Sequence, residues 1–122
     1  MSVEIAVEPD IIRVTLFGVL TEQDLADIAT AAADIERDRD PVPPRLTDMT
    51  GVTEMKVSYP DVKTLADRRR VLVFPHDFKS AIVVATPVQR GMARMFQTLN
   101  DNPRITVQIF DDEAAALAWL RG

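Results

Sequence analysis

The sequence predicts a single α/β domain in which an N-terminal antiparallel hairpin leads into a mostly parallel sheet with helices packed on it. Three observations carry this. VEIAV and IIRVTLFG alternate with period 2 and are joined by the short link EPD, a hairpin pattern. SAIVVA is a continuous apolar, largely β-branched run, the pattern of a strand covered on both faces. Between and after these, segments of helical period alternate with short strands, giving the order β-β-α-β-α-β-α-β-α.

Each element has its own warrant. Val3, Ile5 and Val7 share one face of the first strand, and Ile12, Val14 and Leu16 one face of the second. In TEQDLADIATAAADIERDRD, Thr21 can cap a helix with Asp24 three residues on. Leu25, Ile28, Ala29, Ala32 and Ile35 then form its apolar stripe, and PVPP ends it. RLTDM reads as a short strand. SYPDVKTLADRRRVLV reads as a helix with Val62, Leu65, Ala66 and Leu72 inward and Pro60 in the first turn, where a missing N–H costs little. TPVQRGMARMFQTLN offers Thr86 as N-cap and Pro87 at the first helical position, with Val88, Met92, Met95, Phe96 and Leu99 as its stripe. RITVQIF is the last strand. DDEAAALAWLRG is the last helix, its acids at the positive end of the dipole.

The totals bound the function. A chain of 122 residues fits one domain. No apolar run reaches the roughly 18 residues that span a bilayer, and MSVEIAVEPD lacks the basic and apolar regions of a signal peptide. The chain has no cysteine, which removes disulfide and thiol chemistry and predicts a cytoplasmic setting. A zinc centre is disfavoured with His76 as the only histidine. The net charge of −5 disfavours nucleic acid, and the basic run Arg68, Arg69, Arg70 reads as a helix face or a partner contact.

With this element order, and with LTDMTGV, KSAIVVATPVQRGMARMFQTLNDNP and IFDDEAAALAWL, the chain resembles the STAS family of anti-sigma-factor antagonists. More narrowly, it resembles the SpoIIAA-like proteins of bacteria. The resemblance implies a STAS-like fold over nearly the whole chain and a non-enzymatic module that regulates a protein partner. In the antagonists a helix opens with Asp-Ser-Ser/Thr-Gly, whose first serine accepts phosphate from a kinase. Matched from Asp48, that motif falls on Lys56, Val57, Ser58 and Tyr59, so the acceptor position is Val57 and Ser58 follows one residue later.

Candidate site residues follow from both lines. Ser58 with Asp61 fits an N-cap, and a phosphate on Ser58 would meet the same free N–H groups and the same dipole. Asp48 and Thr50 are expected at the end of a parallel strand, where open α/β sheets bind ligands, or else in an Asx turn before Gly51. Arg90 and Arg94, four apart on one helix, form a solvated face or flank a partner or anion site with Asp48. The expected interaction surface is Asp48, Thr50, Ser58, Tyr59, Arg90 and Arg94, with Ser58 as a phosphoacceptor candidate. A second reading is a carrier of a small hydrophobic or anionic ligand, because the SpoIIAA-like fold also resembles CRAL-TRIO lipid-transfer domains. A third is a small enzyme using Asp48 and His76. An exposed edge strand or helix face would also allow a homodimer.

Overall fold

The computed structural model describes residues 3–37, 39, 42–70, 74, 77–100 and 102–122. Strands β1 (Val3–Val7) and β2 (Ile12–Thr21) form the antiparallel hairpin, with Val7 opposite Ile12 and Val3 opposite Leu16. Helix α1 (Glu22–Arg37), strand β3 (Arg45–Lys56), helix α2 (Tyr59–Arg70), strand β4 (Phe78–Val83), helix α3 (Pro87–Leu99), strand β5 (Ile105–Phe110) and helix α4 (Glu113–Arg121) follow. The sheet order is β1-β2-β3-β4-β5, and every pair after the hairpin is parallel. The expected fold class and element order are those of the structure. Among the described residues, no helix is long and apolar enough to cross a membrane.

The strand order explains where the helices lie. Each crossover from β2 to β3, β3 to β4 and β4 to β5 steps the same way across the sheet. Right-handed crossovers therefore put α1, α2 and α3 on one face. There Ile12, Val14, Leu16, Leu25, Val62, Ile82 and Ala93 form the larger core. On the other face Ala116 and Leu120 of α4 pack on Leu46, Ala81 and Val83, so β4 is covered on both sides, as its sequence predicts.

The starts of α1 and α3 carry the expected caps, whereas the Ser58 hydroxyl at the start of α2 donates to Asp61 instead of accepting from a free N–H. The Thr21 N–H donates to the Asp24 carboxylate at 2.8 Å and the Asp24 N–H donates to Thr21 Oγ1 at 3.3 Å, a reciprocal capping box. Thr86 caps α3, with Pro87 in its first turn, and Asp112 caps α4 through the Ala115 N–H. Leu72, expected to face inward from α2, lies outside the described residues.

Two features depart from expectation. The strand read as RLTDM is in fact Arg45–Lys56, because β3 keeps pairing with β2 after β4 has ended. The last β3–β4 pair is Asp48 with Val83, whereas β2 and β3 stay paired to Thr21 and Lys56. A two-stranded ribbon thus overhangs the sheet.

The second departure is ionic. The stripe of α1 includes Glu36, buried at 6% exposure, which accepts from two buried arginines. Arg69 reaches it through Nη1 at 2.6 Å and Nη2 at 2.5 Å, and Arg45 through Nη2. One carboxylate therefore joins the last turn of α1, the first residue of β3 and the last turn of α2. Arg69 belongs to the basic run read as surface. Its neighbour Arg68 does lie outside, donating to the Ala26 carbonyl and to Thr30 Oγ1.

This triad holds more positive than negative charge. Burial, aided by the like charge of Arg69 and opposed by Glu36, pushes the Arg45 guanidinium down to about 10, so it stays charged at neutral pH. Replacing Glu36 with Gln leaves two buried guanidiniums facing each other, and should cost about 3–5 kcal/mol of unfolding free energy. The triple replacement Glu36→Leu, Arg45→Met, Arg69→Leu should recover most of that loss. Urea unfolding followed by circular dichroism tests both, and a cost under about 1 kcal/mol for E36Q would show the triad to be energetically idle.

Candidate functional site

The overhanging ribbon contains two irregularities in the β2–β3 ladder. Thr15 pairs with Asp48 and Phe17 with Gly51, so Met49 and Thr50 together face Leu16. A second shift between Gly18 and Val19 leaves Thr53 as the extra residue, and Gly18 there takes φ +68°, a left-handed conformation open to glycine. At the first bulge, a side chain on Gly51 would press on Phe17 Cβ at 3.1 Å and the Leu16 carbonyl at 3.2 Å. The glycine is there for close approach.

The first bulge explains Asp48 and Thr50. A bulge removes Thr50 from regular pairing, and its N–H donates instead to Asp48 Oδ1 at 2.9 Å, with its hydroxyl donating to the same oxygen at 2.7 Å. The Asx-type bonding expected for Asp48 is present, inside a long strand rather than in a loop after a short one.

The carbonyls that β3 exposes beyond β4 have another partner. Gln89 of α3 is buried, and its Nε2 donates to the Val52 carbonyl at 2.9 Å. Its Oε1 accepts from the Ala85 N–H at 2.7 Å and more weakly from Thr86. One amide side chain thereby closes the α3 capping box and clamps that helix to the ribbon. The sequence signal was Thr86-x-x-Gln89, a capping box in its own right. The reach across to β3 had no signal.

The structure separates Asp48 and Thr50 from Ser58 and Tyr59. From Asp48 to Lys56 the chain is extended, so at about 3.3 Å per residue the two ends lie on the order of 25 Å apart. Asp48 and Thr50 sit at the base of the ribbon, Ser58 and Tyr59 at its tip. Arg90 is ion-paired with Asp111 at the end of β5, and Arg94 is exposed on the same helix. His76 lies outside the described residues.

At the tip, the Ser58 N–H donates to Asp61 Oδ2 at 2.8 Å and its hydroxyl donates to the same oxygen at 3.0 Å. This is the reverse half of a capping box: Asp61 holds Ser58. Tyr59, next along, is 52% exposed. Between α1 and α2 a solvent-open groove of about 300 Å³ is floored by Leu25, Ala29 and Leu65 and bordered by Glu22, Asp61 and Arg68. That is the lower end of the volumes that hold small molecules.

The arrangement makes Asp61 the anchor of the α2 start. Asp61→Ala should cost about 1 kcal/mol, while Ser58→Ala, which keeps the N–H bond to Asp61, should cost less than half as much. Urea titrations of the two variants compare them, and equal losses would contradict the assignment.

A model of the SpoIIAA-like family matches residues 11–121. In three dimensions the chain is similar to an uncharacterised protein of the DUF3478 family with a SpoIIAA-like fold from Shewanella loihica PV-4. The TM-score is 0.60 at 22% identity, over 97% of this chain and 91% of that one. Among curated proteins, none matches this sequence.

Proposed function

Since the chain belongs to the SpoIIAA-like family, we propose that it is a non-enzymatic regulatory module that binds a protein partner through the tip of its β2–β3 ribbon. The observation that carries this reading is the exposure of Tyr59 at the start of α2, at the far end of a ribbon braced from below by Gln89. A tyrosine supplies a large contact area for little conformational entropy, and such residues commonly anchor protein interfaces. Lys56 and Ser58 precede it, both exposed, and Val57 between them is half-buried.

The other expected surface residues divide by how they are already engaged. The Asp48 carboxylate is taken up by Thr50 and Arg90 by Asp111, so these two serve the scaffold of the surface. Arg94 is exposed and available to a partner. A phosphate on Ser58 would replace its bond to Asp61 and stand beside that carboxylate, and their repulsion opposes the gain from the helix dipole. Ser58 is thus assigned to the helix start and the rim of the contact, with partner binding itself as the regulatory event.

Affinity capture from the source cells, with tagged wild-type protein and the Tyr59→Ala variant quantified side by side, tests the reading. A specific protein should be lost by about tenfold or more in the variant, while circular dichroism and the melting temperature stay unchanged. Equal recovery of every captured protein by the two baits would remove the tip as the contact.

A further inference from the structure

The two edges of the sheet are guarded differently. On β5 the carbonyl of Val107 points away from β4, because the Arg104 and Phe110 carbonyls are the ones that bond the β4 side, to Phe78 and Val84. Gln97 of α3 covers that outward carbonyl, its Nε2 donating at 2.8 Å. Strand β1 forms the opposite edge and carries neither proline nor lysine, the usual devices against edge pairing. Its pairing with β2 is regular through all five residues, so no bulge turns it away.

The hairpin fixes which groups β1 offers. The Glu8 N–H donates to the Ile11 carbonyl at 2.9 Å, which makes Glu8–Ile11 a hydrogen-bonded pair. Alternation then makes Ala6–Arg13 and Glu4–Thr15 the next two, and the N–H and C=O of Val3, Ile5 and Val7 point outward. The Ile12 N–H agrees, since it turns away from β1 to the Pro44 carbonyl at 2.9 Å.

We propose that β1 pairs antiparallel with β1 of a second copy of this chain, with Ile5 on the two-fold axis, joining two five-stranded sheets into one. Three registers form two or more bonded pairs among the outward residues, and charge selects among them. Centring on Glu4 sets Glu4 against Glu4, and centring on Ala6 sets Glu4 against Glu8. Centring on Ile5 sets Glu4 against Ala6 of the second copy and pairs no like charges.

This register satisfies both faces. On the side of α1, Val3 meets Val7 of the second copy and Ile5 meets Ile5, so Val7, 45% exposed in the single chain, gains an apolar neighbour. On the other side Ala6 lies between Arg13, its neighbour on β2, and Glu4 of the second copy. The small alanine side chain lets that carboxylate approach the Arg13 guanidinium, which already holds Glu8 through Nε at 2.8 Å and Glu113 through Nη1. The contact is isologous and closes at two copies. It uses a surface separate from the ribbon tip and stands or falls independently of the partner proposed there.

Sedimentation velocity over a concentration series, with the variant Val7→Pro, tests the proposal. The wild type should pass reversibly to twice the 13.6 kDa chain mass. Proline at position 7 removes an outward N–H while sparing the β1–β2 ladder, and should weaken the dimer by about tenfold or more. The cysteine-free sequence allows a second readout of register, which also decides the matter if Val7→Pro impairs folding. In Glu4→Cys with Ala6→Cys, the two positions face each other across the axis in a non-hydrogen-bonded pair, about 4.5 Å between Cα atoms, and should oxidise to a covalent dimer. Glu4→Cys alone should not. A wild type that is monomeric throughout, a dimer unaffected by Val7→Pro, or equal cross-linking of the single and double cysteine variants would overturn it.

Discussion

One carboxylate sets the geometry of the lower half of the molecule. Glu36 lies at the end of α1, and both arginines that reach it come from other elements, Arg45 from the start of β3 and Arg69 from the end of α2. Taking three charges out of water is expensive, and only close pairing repays it. The repayment here is incomplete: Arg45 Nε is buried with no hydrogen-bond partner among the described residues. Such a cluster tolerates one arrangement of its three elements and penalises others, so its main effect is on position. Nearby contacts share the task. Arg69 lies 5.8 Å from the Phe74 ring centre, and its carbonyl accepts from Asn102 Nδ2 at 2.9 Å, tying the approach to β5 to the same point.

With the helices fixed at that end, the opposite end of the sheet is free to be irregular. Two register shifts interrupt the β2–β3 ribbon past the end of β4, where β3 also has no strand on its other side. Asp48 takes up the Thr50 N–H at the first shift, and Gln89 takes up the Val52 carbonyl that β4 does not reach. The ribbon is therefore held in place by two polar side chains at its base and by Met49 and Val52 in the core. Tyr59 begins α2 at its tip and is exposed to solvent. That exposed aromatic on an overhanging edge is the feature on which the proposed protein contact rests.

Period and capping made most of the fold legible in the sequence. The alternation of VEIAV and IIRVTLFG, the apolar run SAIVVA and the Thr21–Asp24 and Thr86–Pro87 starts each act locally, and each reappears in the structure. What was hidden depends on distant residues. Glu36 looks like one more charge near a helix end, and Arg69 like the middle of a basic surface run, because neither sequence position reveals the other. The extent of β3 was missed for a related reason. TDMTGVTEMK is rich in polar and turn-forming residues, and it is strand only because β2 pairs with it through two bulges. The Asp48 carboxylate bonds the Thr50 N–H just ahead of Gly51, while its distance from Ser58 depends on that hidden length.

By holding three elements at one point, the Glu36 cluster should make the ends of α1 and α2 and the start of β3 one cooperative unit, with the ribbon tip outside it. Native-state hydrogen exchange with residue resolution measures this directly. The slowest amides near Glu36, Leu46 and Arg69 should share one opening free energy equal to that of global unfolding, and amides from Glu54 to Tyr59 should open at markedly lower cost. If the last turn of α2 instead exchanged readily on its own while β3 stayed protected, the ion cluster would not be holding these elements together and the account would be wrong.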